Sequence, residues 1–184
     1  MKVFVIIPAA GLGTRMASVP VGKPAKPAAS KQFLELDGVP LLVHTLRAFA
    51  KSAEVKQIIV ALRKPEMDAF RARLSADAPE ILKKDLKFVE GGEHRQHSVA
   101  NGLAAVSAAA DDIVLVHDAV RPFVTEEMIR EVIAAAQKLQ SQSTSNPSSV
   151  NFAEPVGGPA AAASAVVAPG AAALCVAGAG PCAA

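Results

Sequence analysis

Val3-Phe4-Val5-Ile6-Ile7-Pro8-Ala9-Ala10-Gly11-Leu12-Gly13-Thr14-Arg15 is an apolar strand running directly into a loop of small residues. Such a junction leaves backbone amides unobstructed, and Gly11 and Gly13 can take the positive φ values that turn several N–H groups toward one anion. Arg15 adds a permanent planar cation suited to phosphate oxygens. The stretch therefore predicts a triphosphate site. A dinucleotide fingerprint would need a third glycine where Met16 stands and a long helix behind it, and Pro20, Pro24 and Pro27 forbid that helix. A glycine pair after a strand is a weak signal by itself, and a plain tight turn is its alternative reading.

Outward from this strand, strand-like and helix-like patterns alternate. A Pro/Ala/Lys-rich loop occupies 17–32, and Leu41, Leu42, Thr45, Leu46 and Phe49 then recur at helical spacing. Val55–Leu62 reads as a second buried strand, Pro65–Leu74 as a helix, Leu86–Val89 as a short strand, Gln96–Ala109 as a helix and Ile113–Val116 as another strand. Thr125 is an N-cap candidate, with Glu126 and Glu127 complementing the positive helix end and Met128, Ile129, Val132, Ile133 and Ala136 forming one apolar face. Alternating units of this length predict an α/β fold, a Rossmann-like and mostly parallel sheet covered on both faces.

Length and charge narrow the function. At 184 residues the chain has the size of one ordinary domain. Residues 1–140 hold all 19 basic residues and 16 of the 17 acidic ones, a net of +3. That mild excess suits a phosphorylated small molecule and is too scattered for nucleic acid. Cys175 and Cys182 match no metal or redox spacing, so a reducing cytoplasm is expected. Lys2 and the apolar run behind it imitate a secretory signal, but the run is too short and Pro8 ends it. No stretch of about 20 strongly apolar residues predicts a membrane span.

In a parallel sheet, ligands bind at the carboxyl ends of the strands. Three polar loops fall there: the glycine loop with Arg15, Glu90-Gly91-Gly92-Glu93-His94-Arg95-Gln96-His97-Ser98, and His117-Asp118-Ala119-Val120-Arg121-Pro122. Asp118, beside the small Ala119, can hold Mg²⁺ against nucleotide phosphates, or it can pair with Arg121 and cap a turn. Gly91 and Gly92 can admit a flat base, or simply make the turn into the next helix. Ser98 can reach a base or ribose edge, and as an isolated residue it reads better as a helix cap. His94, His97 and His117 share no metal spacing and read as loop or packing residues, and His44 lies within an amphipathic helix.

Together Pro8-Ala9-Ala10-Gly11-Leu12-Gly13-Thr14-Arg15-Met16, Lys31-Gln32-Phe33-Leu34-Glu35-Leu36, Gly91 to Val99 and Val116 to Pro122 closely resemble the 2-C-methyl-D-erythritol 4-phosphate cytidylyltransferase family, over residues 2–139. The glycine loop is shared with sugar-phosphate nucleotidylyltransferases at large. The Lys-Gln-Phe and His-Asp-Ala-x-Arg-Pro elements narrow the resemblance to this family. It implies a nucleotidyltransferase-type sheet and transfer of a cytidylyl group from CTP to 2-C-methyl-D-erythritol 4-phosphate with Mg²⁺. By motif, Arg15 and Lys31 are implied to stabilise the α-phosphate and the departing pyrophosphate, and Asp118 to hold Mg²⁺. Ala9, Ala10 and Gly11 are implied to contact CTP, and Gly92, Glu93, Ser98 and Ala119 to frame cytosine and ribose.

The sequence departs from the family pattern twice. The link from Met16 to Lys31 is longer than usual and carries Lys23 and Lys26. Beyond residue 140 the chain turns Ser/Asn/Pro-rich and then Ala/Gly/Pro-rich, with Glu154 its single charge. No counterpart stands there for the threonine, arginine and lysine that grip the second substrate, or for the arm that builds the family homodimer. The expectation is an incomplete CTP-binding domain over 1–140 and a disordered low-complexity tail over 141–184. Little turnover is expected from the chain as written. Two alternatives stand beside the enzyme: a non-catalytic CTP-binding fragment, and a nucleotidylyltransferase for another sugar phosphate.

Overall fold

The computed structural model describes residues 1–11, 30–109, 111–143, 163–165 and 172–176. Its central strand is β1 (Val3–Pro8), and the side chains of this strand alternate between two cores. Val3, Val5 and Ile7 enter one, and Phe4 and Ile6 enter the other. A strand apolar at every position, with no polar face to give to water, can only lie between two covered faces. β4 (Val55–Leu62) pairs with it in parallel on one side and β6 (Ile113–His117) on the other, continuing the alternation. Ile58, Val60 and Leu62 join the first core while Ile59 joins the second.

β5 (Asp85–Glu90) extends the sheet beyond β4, also in parallel. With β7 over Ala163–Ala165 and β8 over Ala172–Val176, the described residues form a six-stranded sheet in the order β5-β4-β1-β6-β8-β7. The chain builds outward from β1 to β4 and β5 and then returns to place β6 on the other flank. That reversal leaves a crevice between the carboxyl ends of β1 and β6, where open α/β sheets bind ligands.

The first core is roofed by α1 (Leu41–Lys51), α2 (Lys64–Asp77) and α4 (Glu126–Ser143). They contribute Leu42, Leu46 and Phe49, then Phe70 and Leu74, then Ile129, Ile133 and Ala136. α4 begins as the sequence predicts, with the Thr125 hydroxyl accepting the Met128 amide at 3.3 Å. The second core is covered by α3 (Arg95–Ala104), which brings Val99 and Leu103. This helix stops five residues before the predicted Ala109. The reason is the buried Asp112 carboxylate, which accepts the Ala109 amide at 2.9 Å and the Lys2 amide at 2.6 Å and draws the chain into β6.

Of the loop predicted over 17–32, residues 17–29 lie outside the described residues. Lys31–Phe33 form a 3-10 turn, followed by a hairpin of β2 (Glu35–Leu36) and β3 (Val39–Pro40). Asp37 and Gly38 take φ of 52° and 75°, as a two-residue hairpin loop between right-twisted strands requires.

Most of the low-complexity tail expected over 141–184 lies outside the described residues, and three segments of it are described. α4 runs to Ser143, β8 (Ala172–Val176) pairs in parallel with β6, and β7 (Ala163–Ala165) pairs antiparallel with β8. The outer edge of a buried strand carries amides and carbonyls that need partners, and a ladder satisfies them whatever the side chains are. Cys175 lies in β8, and Cys182 lies outside the described residues. Among the described residues no helix is long and apolar enough to cross a membrane.

α3 lies so close to β1 that a Cβ at Gly102 would stand 2.6 Å from Ile6 Cγ2, in a region where Ile6 is fully buried. Gly102→Val should therefore destabilise the fold by about 1–3 kcal/mol in urea unfolding, the usual cost of overpacking. Gly102→Ala should cost less, because a regained helix propensity of about 1 kcal/mol offsets the clash. Equal stability of the valine variant and the parent would show that α3 does not dock where described.

Candidate functional site

The crevice at the carboxyl end of β1 is a cavity of about 220 Å³. Its floor is fixed by the backbone of Ala9, whose amide continues the ladder one residue past β1 by donating to the Ala61 carbonyl at 2.8 Å. Pro8, Ala9, Ala10 and Gly11 line it from this side. Arg15 falls outside the described residues.

The second wall comes from the loop after β5. The Gly91 amide donates to the Leu62 carbonyl at 2.8 Å, which carries the loop over the end of β4 toward β1. A Cβ on Gly91 would lie 2.3 Å from that of Ala10, so this glycine is required by close approach. Gly92, Glu93 and Ser98 all line the cavity. Ser98 is buried one turn inside α3 and is not the cap that the sequence suggested: its hydroxyl accepts the Gly92 amide at 3.1 Å and stitches the loop to the helix. The N-cap position falls to His94, which makes no side-chain cap bond.

Lys31 enters from a third direction on its 3-10 turn and also lines the cavity. The turn is tied to the floor by Gln32, a buried side chain whose Nε2 donates to the Ala9 carbonyl at 2.6 Å. In the sequence, Gln32 stands out only as the middle of the Lys31-Gln32-Phe33 motif. Its isolated polarity gives no sign of this tether.

The fourth wall follows β6, with Asp118 and Ala119 in the lining. Thr45 of α1, fully buried, donates to the Ala119 carbonyl at 3.0 Å and holds this loop down. Asp118 accepts from Arg95 Nη2 at 2.9 Å on one oxygen and from Arg121 Nε at 3.0 Å on the other. The ion pair with Arg121 was one of the two readings of this aspartate, and Arg95 is the partner the sequence did not reveal. The signal was its position: Arg95 opens α3, where a cation opposes the helix dipole and so calls for a nearby anion.

The cavity therefore presents two carboxylates, Glu93 and Asp118, beside Lys31 and Arg95. Among the described residues no three His, Cys, Asp or Glu side chains are grouped as a metal cage. Mg²⁺ needs no cage, since it takes one or two carboxylates and keeps waters and phosphate oxygens as its other ligands. The donor chemistry fits, although an ion on Asp118 has to displace at least one guanidinium.

With this geometry, a family model described as 2-C-methyl-D-erythritol 4-phosphate cytidylyltransferase (IspD) matches residues 3–148. The chain belongs to this cytidylyltransferase family. A protein of that name from Acidobacterium capsulatum is 48% identical over 138 residues, which are 75% of this chain and 55% of the relative. One from Bacillus mycoides is 44% identical over 133 residues, or 72% and 53% of the two chains. The crystal structure of 4-diphosphocytidyl-2C-methyl-D-erythritol synthase from Anaerococcus prevotii superposes with a TM-score of 0.55 at 27% identity, over 74% of this chain and 52% of that one. The chain spans about half the length of the cytidylyltransferases it matches. The matched residues include all the loops that wall the cavity.

His117, the last residue of β6 and next to Asp118, is a packing residue, as its sequence context suggested. Its ring is buried edge-on to Phe49 at 5.0 Å, and Nε2 lies 3.1 Å from the Arg121 carbonyl, which can only accept. Nε2 therefore carries the proton, and the buried Nδ1 has no partner among the described residues. Burial lowers the pKa of this imidazole below 6.5. The unfolded chain then binds the extra proton more readily, so the full stability is present above pH ~6.5 and falls as the pH drops, at up to about 1.4 kcal/mol per unit. Urea unfolding between pH 8 and 5 should show this slope, and His117→Gln should flatten it. An unchanged slope in the variant would remove His117 as its cause.

Proposed function

We propose that the cavity binds CTP together with Mg²⁺ and that the chain carries the nucleotide half of a cytidylyltransferase site. The observation that carries this reading is the convergence of Lys31, the Gly91-Gly92 loop and Asp118 on the end of β1, in a chain of this family. Ala9 lines the floor beneath CTP, Ala10 and Gly11 offer backbone to the triphosphate, Gly92, Glu93, Ser98 and Ala119 surround the cytosine and ribose, and Arg15 and Lys31 supply the cations. Asp118 would hold the Mg²⁺, which contributes positive charge beside the phosphates when bound.

The reaction we propose is attack by the phosphate oxygen of 2-C-methyl-D-erythritol 4-phosphate on the α-phosphorus of CTP. A new P–O bond forms as the bond to the β-phosphate oxygen breaks, giving the CDP-alcohol and pyrophosphate in the reducing cytoplasm. Both reactants are anions, so the protein's work is positioning and charge neutralisation. Removing one preorganised donor of this kind costs about 10²–10³ in turnover, the scale to expect for Arg15→Ala in an active chain.

A second reading, CTP binding without turnover, is favoured by one observation. Residues 141–184 contain no Lys or Arg. The attacking dianion then has few cations to fix it against a polyanionic nucleotide, and repulsion opposes the near-attack geometry. A pyrophosphate-release assay on the purified chain separates the two readings.

CTP with Mg²⁺ should raise the melting temperature by mass action, since it binds the folded state. No shift at millimolar CTP, in a sample shown to be folded, removes the nucleotide site. Asp118→Asn should raise the Mg²⁺ concentration needed for half-maximal CTP binding. If Asp118 serves only to bridge two arginines, that metal dependence will not move.

A further inference from the structure

Lys31 is presented by a turn that is held at both ends. On one side Gln32 bonds to Ala9. On the other, Ser30 is 5% exposed and sits in a polar cluster that does not line the cavity. Arg63 Nη2 donates to Ser30 Oγ at 2.7 Å and to the Glu66 carboxylate, and Ser30 Oγ donates to the same carboxylate oxygen at 3.1 Å.

Arg63 directly follows β4 and Glu66 lies in the first turn of α2, so both are fixed by the same sheet edge that carries the site. An arginine and a glutamate three residues apart can satisfy one another without a serine. Here they also enclose the Ser30 hydroxyl, and the Ser30 carbonyl accepts the Phe33 amide at 2.8 Å to close the turn. Among the described residues, Arg63 Nε and Glu66 Oε2 are buried with no hydrogen-bond partner. Each such atom costs free energy that a solvated pair would not. What the arrangement does specify is where the turn starts.

A lysine ammonium rides on a flexible four-carbon stem, and its reach is set by how firmly its backbone is held. We propose that Ser30, Arg63 and Glu66 are positioning residues that clamp the turn so that Lys31 is delivered to the triphosphate. The proposal rests on the CTP reading above. The three residues do not touch the nucleotide and act through Lys31.

Two readouts test the clamp on the full chain. In hydrogen exchange without nucleotide, Ser30→Ala should cut the protection of the Phe33 and Leu34 amides by about tenfold, the worth of a hydrogen bond to charged partners, and Ser30→Thr should restore it. In titrations with CTP and Mg²⁺, Ser30→Ala should weaken binding several-fold. Lys31→Met should weaken it at least as much, and the double variant should lose no more than Lys31→Met alone. Arg63→Met combined with Glu66→Met removes the clamp without stranding a charge and should reproduce both changes. Unchanged exchange at Phe33 and Leu34, or additive losses in the double variant, overturns the proposal. Absence of CTP binding by the unaltered chain instead overturns the reading of the site, and the exchange data then decide the clamp by themselves.

Discussion

The backbone of Ala9 is the point on which the site depends. Its amide is spent on the sheet, donating to Ala61, and its carbonyl is spent on the site, accepting from Gln32. A residue one step past β1 thus stays in register with β4 while anchoring the turn that carries Lys31. Neither bond has a substitute nearby, and a net value of about 1 kcal/mol each understates them, because loss of either partner strands a buried polar group. The small side chains around it follow from the same constraint. Ala10 has room only because Gly91 has no Cβ.

From that point the walls are positioned by unlike means, and each is a residue of a covering element reaching into a loop. Thr45 of α1 holds the Ala119 carbonyl, Ser98 of α3 holds the Gly92 amide, and Gln32 holds Ala9. All three donors or acceptors are buried. A loop bonded to helices that are themselves packed on the sheet keeps its geometry at little entropic cost when a ligand arrives, which is the physical content of preorganisation.

How much of this was legible in the sequence follows from what periodicity and motif can report. β1, β4, β6, α1 and α4 were legible because their apolar patterns are long and unambiguous. The cavity's loops were legible because glycine, proline and charge mark strand ends. The Asp37-Gly38 hairpin was overlooked although Asp-Gly between short apolar runs is its signal. β7 and β8 were illegible for another reason: runs dominated by alanine, such as Ala163-Ser164-Ala165, carry neither the β-branched enrichment nor the period that marks a strand. Thr45, Gln32 and Arg95 could not be assigned from sequence because their partners lie 74, 23 and 23 residues away.

The arginine bridge on Asp118 bears on how a polyanion could be received. Arg95 and Arg121 are 44% and 46% exposed, and the aspartate 26%. Ion pairs of that exposure are worth about 0–1 kcal/mol, since water already solvates much of both partners. An exchange of one guanidinium from carboxylate to phosphate is therefore nearly free, and a phosphate offers it the same planar, bidentate match. On the proposed CTP–Mg²⁺ reading, the carboxylate oxygen given up in the exchange is the one that would take the divalent cation. Before that exchange the same pairs keep two cations beside the cavity at a spacing that Asp118 sets, so one aspartate can organise the arginines in one state and accept a metal in the other.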